Sequence, residues 1–140
     1  MAYKRKTWQE KLHNNHPEKV EVVNEKFADI PAGASMYIAT PMVVDAYIRN
    51  IPEGVHTSLQ QMRKDLAAEH GAEYTCPITA GIFLRIVSEA AYEEYMAGKP
   101  LNKITPFGRM IDSKAPVAKK LSFGSDFVKE MREKEGLTYQ

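Results

Sequence analysis

Between Pro77 and Ala90 apolar residues return at helical intervals, and this stretch narrows the fold more than any other. At 100° per residue, Ile82, Phe83, Ile86, Val87 and Ala90 share one side, which predicts a buried helical face. The opposite side carries Gly81, Arg85, Ser88 and Tyr92, an outward stripe of small, basic and aromatic residues. A helix of this kind needs neighbours for its dry side, and the chain offers them upstream. Thr40 before Pro41 reads as an N-cap and first turn, with Val44, Tyr47 and Ile48 at helical spacing as far as about Asn50. Ile51-Pro52-Glu53-Gly54 is a turn, because Pro52 disfavours helix at Ile51 and Gly54 tolerates positive φ. Ser58 with Gln61 reads as a capping box. The helix it opens carries Leu59, Met62 and Leu66 on one face and stops at His70-Gly71. Two helices joined by a brief turn, the second with a buried face and an outward stripe, make a helix-turn-helix pattern.

A length of 140 residues predicts one domain with a single core. Residues 1–40 read as an N-terminal extension. Trp8 and Leu12 predict a short helix from Thr7 to His13, ended by Asn14-Asn15-His16-Pro17. Lys19 to Phe27 fits either helix or strand, and Met36 to Ala39 reads as a short strand after a Pro31-Ala34 loop. Beyond the third helix, Ile104-Thr105-Pro106-Phe107-Gly108-Arg109-Met110-Ile111 is a loop whose apolar flanks fix its ends. Asp112-Ser113-Lys114 reads as a turn between two short strands, followed by an irregular segment, basic at Lys119-Lys120. Asp126 caps a last helix from Phe127 to Lys134, terminated by Gly136. The expected class is mainly α within α+β.

A net charge of +1 means that affinity for nucleic acid must come from a local patch. The single cysteine, Cys76, excludes an intramolecular disulfide and a multi-cysteine zinc site, and it points to a reducing cytoplasm. No apolar run follows Lys4-Arg5-Lys6, and Ile78 to Val87 is short and holds Arg85, so neither a leader nor a membrane span is expected. His13, His16, His56 and His70 are scattered, which predicts no metal, and no Gly-rich phosphate loop or other cofactor motif is present. Cys76 precedes Pro77 at a helix start, where free amides and the dipole favour thiolate. No base adjoins it in sequence, so a packing role stands beside the reactive one.

The order Ile51-Pro52-Glu53-Gly54, Thr57-Ser58-Leu59-Gln60-Gln61, apolar third helix, Thr105-Pro106-Phe107-Gly108-Arg109-Met110-Ile111 and Glu135-Gly136 resembles the C-terminal domain of the O6-alkylguanine-DNA alkyltransferases, DNA-repair methyltransferases. The resemblance runs from about Pro41 to Leu137 and implies a winged helix-turn-helix domain over 41–140. In that family a Pro-Cys-His-Arg loop carries the methyl-accepting cysteine. Pro106 and Arg109 match it, but Phe107 stands at the cysteine and Gly108 at the histidine, while Glu135 matches a glutamate of the mechanism. Leu59 replaces a base-turning tyrosine, and the inserted arginine falls near Gly81, with Arg85 one turn on. The chain is therefore similar to the alkyltransferase-like proteins, which have tryptophan at the cysteine and bind alkylated DNA without repairing it.

The resemblance implies a non-catalytic DNA-binding domain in which Gly81, Arg85, Ser88, Tyr92 and Arg109 meet DNA and Thr57 and Ser58 hold phosphate. Phe107, Gly108 and Glu135 would form the pocket for an alkylated or extruded base; alternatively Phe107 packs into its own loop. A different reading keeps the scaffold but makes it a protein-interaction or regulatory domain. A third makes Cys76 the methyl acceptor.

Overall fold

In a computed structural model describing residues 6–14 and 17–139, α2 (Pro41–Arg49) begins where Thr40 and Pro41 predict. The Thr40 hydroxyl accepts from the Val43 amide at 3.2 Å, satisfying one donor that the first turn leaves open. α3 (Leu59–Glu69) opens on the Ser58 hydroxyl, which accepts from the Gln61 amide at 3.0 Å. The reciprocal half of the expected capping box does not form. Gln61 instead donates to Asp65 at 2.9 Å, one turn further along.

β3 (Tyr74–Thr75) follows, two residues too short to leave a period in the sequence. It pairs in parallel with β2 (Ser35–Ile38), and β1 (Lys19–Val22) pairs with the other edge of β2, antiparallel, with Lys19 opposite Ile38. The ambiguous stretch after Lys19 is thus a strand only as far as Val22. Phe27 turns back to bridge Ile30. With α1 (Trp8–Leu12), α4 (Pro77–Met96) and α5 (Asp126–Lys134), the described residues form an α+β structure of five α-helices and a three-stranded sheet.

α4 runs through the middle, touched by α1, α2, α3 and the segment after it. Phe83, Val87 and Ala90 are buried, as their spacing predicts. Ile82, expected in the core, is 51% exposed, whereas Ser88 and Glu89 are fully enclosed. A helix contacted from several sides has no single dry face, so its buried arc follows its partners rather than the apolar average. Leu84, Val44, Ile48, Met62, Leu66 and Ile111 form the centre of the core. Leu12, Tyr37 and Ala39 from the first forty residues belong to that same cluster.

Two terminal expectations change. Lys114 donates its amide to Asp112 at 2.9 Å, so the turn exists, but its flanks are 3-10 turns at Phe107–Arg109 and Pro116–Lys119 rather than strands. Pro106 and Pro116 lack the N–H that a ladder needs. α5 starts after Ser125 without a side-chain cap; Asp126 is its first residue, where a carboxylate meets the positive end of the dipole.

Candidate nucleic-acid interface

The Pro106–Arg109 loop faces inward. Phe107 is fully buried, 5.8 Å from the Phe123 ring centroid and 6.1 Å from that of Phe127. Tyr92 completes this aromatic cluster, stacked on Phe123 at 4.2 Å and edge-on to Phe127 at 5.1 Å. Phe107 is closed to a base, and Tyr92 has its ring stacked against Phe123. A Cβ on Gly108 would lie 3.1 Å from Met131 Cβ, and the Gly108 carbonyl accepts from Arg132 at 2.7 Å. The pocket expected at Phe107, Gly108 and Glu135 is therefore filled by the protein's own side chains.

Arg109 and Glu135 form a junction. The guanidinium donates to Glu135 at 2.9 Å and to the Ile51 carbonyl at 2.6 Å. Glu135 also accepts from the Gly54 amide at 2.8 Å, and the Arg109 carbonyl accepts from the Thr57 amide at 2.9 Å. Gly54 reaches this carboxylate with φ at +79°, a left-handed conformation that costs a residue with Cβ about 1 kcal/mol or more. Arg109 is thus a brace between turn, loop and α5, not a phosphate contact.

Two other expected contacts leave the interface, and the candidate methyl acceptor is enclosed. Ser88 is enclosed and donates to the Leu84 carbonyl at 2.8 Å, a bond that a mid-helix serine makes when no outside partner is present. Thr57 borders a cleft of about 400 Å³ between α2 and α3 whose acids, Asp65 and Glu69, oppose a phosphate. Cys76 packs with Val23, Ile30, Ala34 and Met36 and is 4% exposed, too enclosed for an alkylated base to reach its sulfur.

The surface that remains open is a groove of about 910 Å³ between α1, the start of α3, the first half of α4 and residues 110–120. Ser58, Gly81 and Arg85 of the expected interface line it. Leu59, Ile82, Ile86, Met110 and Val117 supply its apolar lining, and Lys11, Arg85, Lys114 and Lys120 its cations, against the single carboxylate of Asp112. The acids on α4 that would repel phosphate already have partners. Glu89 accepts from the Ser122 amide at 2.8 Å and its hydroxyl at 2.5 Å. Glu93 caps α1 by accepting from the Trp8 and Gln9 amides at 3.2 and 3.0 Å, and Glu94 accepts from Lys99 at 2.6 Å.

Arg85 stands 3.5 Å from Glu89, its Nε making no hydrogen bond, and its guanidinium carbon lies 5.2 Å from the Trp8 ring centroid. At the groove's other end His56 sits between Arg132 at 3.1 Å and Asp112 at 3.8 Å. Burial pushes the His56 pKa below its ordinary value, the Arg132 charge adds to this, and Asp112 opposes it. The shift favours the neutral imidazole, whose Nδ1 is placed to accept from Arg132.

Trp8, Lys11, His56 and Lys114 were not among the residues singled out for function in the sequence. Trp8 and Lys11 reach the groove only because α1 folds across α4, a contact some eighty residues apart that leaves no local signal. Among the described residues no three His, Cys, Asp or Glu side chains converge as a metal site requires, and no helix is long and apolar enough to cross a membrane. His16 lies outside the described residues. Compared with protein-family models, curated proteins and solved structures, the chain has no match in any of the three.

Proposed function

We propose that this chain is a non-catalytic DNA-binding module similar to the alkyltransferase-like proteins, which grips a duplex across the groove and accepts an extruded, alkylated base there. The observation that carries the reading is the cationic rim over an apolar lining at Ser58, Gly81 and Arg85. Phosphate affinity comes from Lys and Arg, and a base out of the stack prefers an apolar, partly dry site. α3 and α4 act as the helix-turn-helix pair, with residues 110–120 where a wing would stand. The brace of Arg109 and Glu135 supports the resemblance, since it ties together three of the separated motifs on which the resemblance rests. With the aromatic of the loop buried and Cys76 enclosed, the module binds without transferring a methyl group.

The test is a titration with labelled duplexes, one holding O6-methylguanine and one unmodified, across a range of salt. The log of affinity is expected to fall with log salt at a slope of about 0.9 per phosphate contact. Arg85→Ala and Lys114→Ala should each weaken binding and flatten the slope. Salt-independent affinity, or none, defeats the reading. Half-exposed Ile78 and Ile82 on the same face favour a second reading, a protein partner with an apolar anchor. In that case Ile82→Glu abolishes capture of the partner while duplexes are ignored.

A further inference from the structure

We infer that Trp8, from the extension, is the stacking platform of the groove and that its ligand is a single unpaired nucleobase of a DNA strand. The inference rests on the DNA-binding reading above. Trp8 is the only Trp, Tyr or Phe lining the groove among the described residues; Phe107 is fully buried, and half-buried Tyr92 packs on Phe123 outside the groove. The ring is partly buried and firmly placed. Its backbone amide donates to Glu93, and the next residue, Gln9, donates its side-chain amide to the Ala90 carbonyl and to Glu94, both at 2.9 Å. A reciprocal capping box between Thr7 and Glu10 closes the same turn. A platform fixed in this way loses little conformational freedom when a base arrives.

Charge points to the same ligand. Lys11 Nζ lies 4.1 Å from the Trp8 ring centroid and the Arg85 guanidinium 5.2 Å, so two cations already sit against the ring. An indole face takes a base plane by stacking once the Lys11 ammonium moves off it, and a neighbouring Arg adds a cation–π contribution. Lys11 is on a flexible stem. A base taking its place over the indole frees the ammonium to meet the phosphate of the same nucleotide, with Lys114 and Lys120 across the groove for its neighbours.

The chain's only tryptophan is Trp8, so its emission reports this ring alone. The experiment follows tryptophan emission and label anisotropy together, using a duplex with one bulged adenine and its fully paired counterpart. The bulged duplex is expected to quench the emission and bind more tightly. Trp8→Ala should weaken it roughly 5- to 150-fold, the range for losing one base–aromatic stack, and Trp8→Phe should lose less. Lys120→Ala should weaken both duplexes alike. Binding by anisotropy with emission unchanged overturns the platform and leaves the DNA reading standing. Tighter binding by Trp8→Ala also overturns it, marking the ring as a cover. No anisotropy change with either duplex sinks both inferences. The quench in the unaltered chain decides the matter even where Trp8→Ala does not fold.

Discussion

Arg109 shows how one side chain serves three segments. It joins the Ile51–Gly54 turn, its own loop and the end of α5 through charged hydrogen bonds in a mostly buried setting. Arg109→Ala leaves Glu135 without its cation and the Ile51 carbonyl without its donor, a loss of about 2–3 kcal/mol by urea unfolding. Phe107→Ala should cost about 3–5 kcal/mol, as core aromatics do, and under the proposed DNA-binding function the fraction that stays folded should keep the affinity of the unaltered chain for a duplex. Weakened DNA binding by that folded fraction would restore Phe107 to the interface. His56 gives a pH dependence with a definite sign. Its pKa is lowered on folding, so between the folded value and about 6.5 the unfolded chain binds more protons. Stability is fully present above that window and lost as pH falls through it. His56→Gln should flatten the change in urea midpoint between about pH 5 and 7.

At the scale of elements, α4 is the instructive case. Periodicity located the helix and three of its core residues, yet its outward stripe divides: Gly81 and Arg85 open onto the groove, Ser88 is enclosed, and half-buried Tyr92 stacks on Phe123. The difference arises because the segment carrying Ser122 and Phe123 folds back on the second half of α4, which periodicity within the helix does not register. Ile82→Ala should therefore change stability by less than about 1 kcal/mol, whereas Leu84→Ala should cost about 2–5. Thermal melts of the two variants check the placement, and a severe loss at Ile82 would refute it. Caps were the most legible elements. Thr40 and Ser58 act within three residues of themselves, so their chemistry is written locally.

Across the whole molecule, the first forty residues are part of the architecture. β2 is the central strand, Tyr37 is buried with its hydroxyl donating to Glu18 at 2.7 Å, and α1 lies along α4. A fragment of residues 41–140 should expose the core surface that Leu12, Tyr37 and Ala39 cover, and so melt well below the full chain or stay unfolded by circular dichroism. Equal melting temperatures would show the extension to be dispensable.

The sequence by itself determined where the three helices after Thr40 begin, the turn after the first, the glycine stops and the lone thiol, because caps, turns and periodicity act over a few neighbours. Only the tertiary structure decided that the loop aromatic is sealed, that Ser88 and Glu89 face inward, and that Trp8 joins Arg85 at one groove. Those outcomes depend on which distant segment covers which face, and burial is settled by that competition among packing partners rather than by any residue's own preference.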